Sequence, residues 1–221
     1  MLPALVSRYA GQALGGGPAT GRVKIEQRGE MTLKQGAAPK EFSATETFET
    51  EAVAFRWKAR FQIVGPLAIS VTDFYDGSDG GIEVRVLGLP VQRKRGTEMA
   101  EGEAFRYLAE IPWVPQAIVA NSRLEWRELD QRRVEVATRV LEKRVAVQLT
   151  FDENDHIIET RAERPRSDAR NAVTPWIGRY SAYREVAGVV IPTRGEVGWG
   201  LPTGLFTYWR GEVTSLERIA A

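Results

Sequence analysis

The chain of 221 residues has no cysteine and a single histidine, His156. Without cysteine there is no disulfide, no thiolate metal site and no cysteine nucleophile. One imidazole cannot build a multi-histidine metal centre, and a Ser-His-Asp arrangement would have to use His156. That residue follows the turn-forming run Asp152-Glu153-Asn154-Asp155, which points to a solvent-facing hairpin turn. Charge of one sign is missing as well: 30 basic and 29 acidic side chains leave a formal net charge of +1. Such a balance offers no field for steering onto nucleic acid or an acidic membrane, and no nucleic-acid partner is expected.

Long apolar runs are also absent. No stretch reaches the ~18–20 residues of a membrane-spanning helix, so no membrane span is expected. The first nine residues, Met1 to Tyr9, lack a basic region followed by a long apolar segment and do not read as a secretory signal. A cytoplasmic location is therefore expected over a periplasmic one. Gly15-Gly16-Gly17-Pro18 lacks the Lys-Ser/Thr of a phosphate loop and reads as a linker. The run from Asp73 to Gly81 has oxygen ligands at calcium-like spacing but not the closing glutamate of an EF-hand, and reads as a hairpin turn. No metal and no cofactor are expected.

What the chain does have is alternation. Residues 53–64 place Phe55, Trp57, Ala59, Phe61 and Ile63 on one side and Arg56, Lys58, Arg60 and Gln62 on the other. This period-2 pattern marks a strand with one buried and one wet face. Similar strands are predicted over 22–33, 41–50, 67–75, 82–87, 124–129, 134–140, 144–151, 157–162, 179–186, 189–199 and 206–216, with a polar loop at 164–175. Two helices interrupt them. A short one spans Pro3 to Leu14. A central one is predicted over 97–111, started by Thr97 as cap with acidic residues in its first turns and stopped by Pro112 and Pro115. A further helical piece is predicted at 114–121. Roughly ten or more strands without βαβ alternation make an antiparallel sheet, and one this large does not stay flat. The expectation is a mainly β (α+β) fold in one domain, 1–221. It is a large curved antiparallel sheet or open half-barrel wrapped around the central helix, with a short N-terminal helix.

A set of motifs carries a family resemblance. It comprises Gln27-Arg28-Gly29-Glu30-Met31, Asp73-Phe74-Tyr75-Asp76-Gly77, Gly102 to Glu110 with Pro112-Trp113, Thr174-Pro175-Trp176 and Tyr208-Trp209-Arg210-Gly211. In this order the chain resembles a bacterial family of unknown function, nearly end to end. That family is similar at fold level to lipoprotein-carrier half-barrels, in which helices close a curved sheet over an apolar cavity. The resemblance implies architecture and no mechanism.

Site candidates centre on the central helix. Glu103, Arg106 and Glu110 share a face, with Tyr107 beside them. They form either a solvated salt-bridge stripe or an anion-binding and acid–base group facing a cavity mouth. Phe105, Leu108 and Ile111 would face the core. Two acids fall in parity with apolar strand residues. Asp73 needs a partner. Glu46 is either an outward residue at a twisted strand end or a buried carboxylate suited to proton transfer. For Asp73 the strand residues Arg28, Arg56, Lys58 and Arg60 are possible partners. The catalytic candidates are Glu110, Asp73 and Tyr107. Candidate ligand-binding residues are Arg106, Tyr107, Glu110, Trp57, Trp113, Trp199, Tyr208 and Trp209. Arg210 and Glu212 form either an internal ion pair or an edge-strand pair. The leading expectation is a protein that binds a small or lipophilic molecule between the concave sheet and the helix. The alternatives are a cofactor-independent acid–base enzyme (isomerase, cyclase or hydrolase) and a structural or interaction module. The oligomeric state is open.

Overall fold

The computed structural model describes residues 2–64, 67–166 and 172–220. Helix α1 spans Ala4–Leu14. Six strands follow: β1 Arg22–Met31, β2 Lys40–Glu49, β3 Phe55–Val64, β4 Leu67–Tyr75, β5 Gly80–Val86 and β6 Leu89–Arg95. Helix α2 covers Thr97–Ala109, a 3-10 turn covers Ile111–Trp113, and helix α3 covers Pro115–Ala120. Seven more strands complete the chain: β7 Glu125–Glu128, β8 Arg133–Val140, β9 Lys143–Phe151, β10 Ile157–Arg166, β11 Ala172–Val186, β12 Val189–Leu201 and β13 Gly204–Ile219.

All thirteen strands join one antiparallel sheet in the order β6-β5-β4-β3-β2-β1-β13-β12-β11-β10-β9-β8-β7. It consists of two meanders joined where β1 pairs with β13, from Arg22↔Ile219 to Met31↔Trp209. The sheet is open, with β6 and β7 at its edges. Every residue of β6 is exposed, and its Arg93-Lys94-Arg95 run discourages edge-to-edge pairing. The same exposure explains why alternation did not reveal this strand: with no buried face, there is no period-2 signal.

Helix α2 touches β4, β5 and β6 on one side and β8, β9 and β10 on the other. These strands stand at opposite ends of the sheet order. The sheet therefore curls until both ends meet the helix, which completes the half-barrel. Helix α1 lies against α3 and β12 and buries Leu5, Val6, Tyr9, Ala10, Ala13 and Leu14. It stops at Gly15, which takes the left-handed conformation (φ 53°) that glycine adopts without penalty.

Two local expectations are corrected. Thr97 is not the cap of α2: it is the first helical residue, and Gly96 precedes it without a side-chain cap. The polar stretch 164–175 is largely strand, because Arg164↔Thr174, Pro165↔Val173 and Arg166↔Ala172 extend the β10–β11 ladder. Its centre, 167–171, lies outside the described residues, as does the predicted Gly65-Pro66 turn. Proline is tolerated at position 165 because that end of the strand is exposed.

A row of glycines crosses the middle of the sheet. Gly29 is opposite Gly211, and Gly211 is opposite Gly195. The missing side chains make room for two indoles. A Cβ on Gly195 would come within 2.8 Å of the Trp113 ring, and one on Gly211 would overlap the Trp209 ring. A Cβ on Gly29 would collide with the carbonyl oxygen of Arg210, which belongs to the backbone and cannot swing away. Gly29→Ala is therefore expected to lower the unfolding free energy by about 1–3 kcal/mol, the usual cost of overpacking. Urea denaturation monitored by tryptophan fluorescence measures it, and an unchanged midpoint would contradict this account of the curvature.

Candidate functional site

The inner face of the first meander carries one unusual cross-strand row. Register places Ile25 beside Glu46, Glu46 beside Trp57, Trp57 beside Asp73 and Asp73 beside Ile82. Two carboxylates thus flank an indole on a largely apolar face. Helix α2 lowers Arg106 onto this row. Its guanidinium carbon sits 4.9 Å from the centre of the Trp57 ring and 5.0 Å from that of Phe55. From there Nη2 donates to Glu46 Oε1 (2.9 Å), Nη1 to Asp73 Oδ2 (2.8 Å) and Nε to Glu110 Oε1 (2.9 Å). The last is an i,i+4 pair along the helix.

A second layer fixes these groups. Gln27 Nε2 donates to Glu46 Oε2 at 3.2 Å, and Gln27 Oε1 accepts from Trp57 Nε1 at 2.9 Å. Tyr107, fully buried, donates its hydroxyl to the Glu49 carbonyl (2.9 Å) and accepts from Asn121 Nδ2 (3.3 Å). Tyr180 donates to the carbonyl of Ala109 (2.7 Å), one of the α2 carbonyls that lack an intrahelical partner. Tyr9 reaches the Pro112 carbonyl (3.1 Å), and Trp113 Nε1 reaches that of Pro192 (2.9 Å). The turn after α2 is thus held from α1 and from β12.

Charge does not balance here. Glu46, Asp73, Glu103 and Glu110 all act on Arg106, and Arg164 is the other cation that reaches this group. Burial raises the Glu46 carboxyl well above its ordinary range, and the charge of Glu110 adds to it against Arg106. Burial also pushes Asp73 up to about 6 despite Arg106. Glu103 is pushed up to about 8, first by burial and then by Asp73. Asp73 Oδ1 and Glu110 Oε2 are buried with no hydrogen-bond partner among the described residues.

The sequence-derived candidates divide clearly. Arg106, Glu110, Asp73 and Glu46 come together. The partner of Asp73 is Arg106, because Arg28, Arg56, Lys58 and Arg60 are exposed on the outward face. The solvated stripe is not what forms: Glu103 and Glu110 are buried, and 16% of the Arg106 side chain is exposed. Trp57 and Trp113 are fully buried, and Trp209 packs 5.8 Å from Trp113. Trp199 and Tyr208 stand elsewhere, half-buried and stacked 6.4 Å apart. Arg210 and Glu212 point outward and pair with neighbours, Arg210 with Glu30 (3.4 Å) and Glu212 with Arg28 (3.0 Å). They border a groove of about 910 Å³. His156 is half-buried rather than solvated, its ring stacked on Tyr183 at 4.0 Å. The Asp76 carboxylate accepts from the amides of Ser78 and Asp79 at 3.0 and 2.8 Å, as a turn residue does.

Sequence reading missed Gln27 as a member of the network and Arg164 altogether. Arg164 extends the inner-face parity of Thr160 and Ala162 in β10, a signal masked by the polar composition around it.

The chain belongs to a family of unknown function (DUF6544), whose model matches residues 1–211. No curated protein matches it in sequence. Among solved structures it is similar to a LolA superfamily protein from Nitrosomonas europaea. The TM-score is 0.52 at 10% identity, over 99% of this chain and 93% of that one. It is also similar to a domain from Vibrio parahaemolyticus named for outer-membrane lipoprotein sorting, with TM-score 0.52 and 8% identity over 97% and 90% of the two chains. At these identities the likeness is one of fold.

The network has a pH signature. A carboxyl whose folded pKa lies above its unfolded value contributes stability fully present at low pH and lost as pH rises through the folded pKa. With Asp73 at about 6 and Glu103 at about 8, the urea midpoint is expected to fall between pH 5 and 9. Glu103→Gln should flatten the upper part of that decline. Arg106→Met leaves buried carboxylates uncompensated and should cost about 3–5 kcal/mol at pH 7. The loss should be smaller at pH 5, where the carboxyls take up protons. An equal loss at both pH values would mean that the carboxylates are not charged partners of Arg106.

Proposed function

We propose that this DUF6544 protein holds a lipophilic molecule on the inner face of its half-barrel, at the end that α2 leaves half-covered. The observation that carries the reading is a gradient of burial along that face. Beneath the helices the inner residues Ile25, Trp57, Val134, Val136 and Leu149 are fully buried. Toward the other end Met31, Ile69, Val71, Val197, Trp199 and Tyr208 are equally apolar or aromatic yet only half-buried. Those six come from β1, β4, β12 and β13, so they form two apolar walls with Met31 between. A half-exposed apolar trough on a curved sheet is a ligand-binding feature. The fold shared with a protein named for lipoprotein sorting supports the same reading.

The space directly under α2 takes no part in this reading, because Tyr107, Leu108 and Trp113 fill it. Arg106 is read as the latch that keeps α2 seated, since its Nε, Nη1 and Nη2 are each committed to a carboxylate. Tyr107 is committed to a backbone carbonyl. Both residues therefore position the helix in this account and do not perform acid–base chemistry on a substrate.

The experiment is native mass spectrometry of the purified protein, with titration of a fluorescent long-chain lipid probe. A bound apolar molecule or saturable one-to-one probe binding is expected. Ile69→Glu and Val197→Glu should each weaken the probe at least tenfold, while the half-exposed positions keep the denaturation midpoint near that of the parent. No co-purifying lipid and no probe binding at any pH from 5 to 9 would overturn the reading.

A further inference from the structure

Arg164 is also on the inner face, and its surroundings are unlike those of Arg106. It extends from β10, opposite Thr174 of β11. Its guanidinium carbon lies 4.6 Å from the ring centre of Trp176, 5.6 Å from that of Phe105 and 5.7 Å from that of Trp199. Tyr208 completes the box: it stacks on Trp199, and its hydroxyl oxygen accepts from Trp176 Nε1 at 3.0 Å. Three strands and helix α2 thus place four rings around one cation. Gly102 of α2 lets the helix lie close against the guanidinium, since a Cβ there would come within 2.9 Å of its Nη2.

The rings attract the cation through their π-faces, but they accept none of its five N–H donors. Among the described residues no carboxylate, carbonyl or hydroxyl hydrogen-bonds to Arg164. Where Arg106 has three carboxylates, Arg164 has none among the described residues. The nearby acid is Glu103, whose carboxyl burial raises to about 8 and so leaves mostly protonated at neutral pH. Burial lowers the pKa of Arg164 itself, the direction expected of a cation short of counter-charge. A guanidinium whose N–H edge is unused offers the planar fork that fits a carboxylate or phosphate through two parallel hydrogen bonds.

The position of the box says what the anion is attached to. Trp199 and Tyr208 belong both to the box and to the half-buried trough. We propose that Arg164 is the head-group anchor of this protein: it binds the carboxylate or phosphate of an acyl-chain amphiphile whose apolar tail lies along the trough. This deepens the lipophilic reading above and rests on it.

The test compares four probes on the full chain by calorimetry: a long-chain fatty acid, the fatty alcohol of equal length, the matching monoalkyl phosphate, and inorganic phosphate. The fatty acid or the alkyl phosphate, or both, should bind about tenfold or more tightly than the alcohol, the span of one ionic hydrogen-bonded contact; which of the two binds tighter identifies the head group. Inorganic phosphate should bind far more weakly. In Arg164→Met the anionic probes should fall to the affinity of the alcohol, which itself should not change, and Arg164→Lys should lie between. The denaturation midpoint of Arg164→Met should hold or rise, because a cation without a counter-ion is replaced by an apolar side chain in an aromatic box.

Equal affinity for acid, phosphate and alcohol in the parent protein would overturn the anchor while leaving the lipophilic reading intact. Inorganic phosphate binding as tightly as the alkyl phosphate would overturn it in favour of a free-anion site. A lower midpoint for Arg164→Met with unchanged anion selectivity would make Arg164 a packing residue. If no chain-bearing probe binds at all, the lipophilic reading fails first and the anchor fails with it.

Discussion

Arg106 gives each of its three guanidinium nitrogens to a carboxylate, two of them on strands of the sheet and the third, Glu110, at the C-terminal cap of its own helix. The architecture depends on this contact. The sheet is open and its two ends stand far apart in strand order, and α2, which touches strands near both ends, spans the gap. Apolar packing alone would hold α2 in many rotations about its axis, because the hydrophobic effect has no direction. Hydrogen bonds to Glu46 and Asp73, placed on either side of Trp57, admit one rotation and one depth. The arrangement costs desolvation of every charge involved. Gln27 and the Trp57 ring reduce that cost by occupying the outer lone pairs of Glu46 and the face of the guanidinium.

Curvature supplies the second half of the design. A sheet of this width must bend to meet one helix from both ends, and bending crowds the inner face. Glycine at positions 29, 195 and 211 removes side chains along one line across β1, β13 and β12, and the indoles of Trp113 and Trp209 fill the space. Trp113 is part of the turn that ends α2, so the same ring that occupies the bend also fixes the helix terminus. Packing of the sheet and seating of the helix are therefore one problem, solved by residues that alternate between very small and very large.

The strands were legible because one face of most of them is buried and period-2 alternation records this. The pattern failed where the physics differs. Strand β6 has no buried face, and the end of β10 carries Arg164, Pro165 and Arg166 in what composition reads as a loop. The polar network was half legible. Glu46 and Asp73 stood out as acids on apolar faces, which demands a partner. The partner lay 60 and 33 residues away on a helix. No local pattern ties a helix rotation to a strand register, so strand cations on the wrong face appeared equally eligible. Arg164 left still less signal, because the neighbours that surround it in the fold are aromatic rings, and an aromatic box leaves no charge pattern in the sequence.

Arg106 and Arg164 are best understood together. Around Arg106 the carboxylates outnumber the cation, and burial with mutual repulsion raises the carboxyls of Glu46 and Glu103. Around Arg164 the imbalance runs the other way, with aromatic faces in place of acids. Glu103 stands between the two on α2, coupled electrostatically to both. Had Glu103 been an ordinary exposed carboxylate it would have neutralised Arg164 and closed the box. Buried and protonated, it leaves the guanidinium edge without a counter-charge. The helix that the Arg106 latch seats is thus also the element that leaves Arg164 without a carboxylate partner among the described residues. A site for an anion arises where a buried cation is denied the protein's own acids, and here that denial follows from the position of one helix.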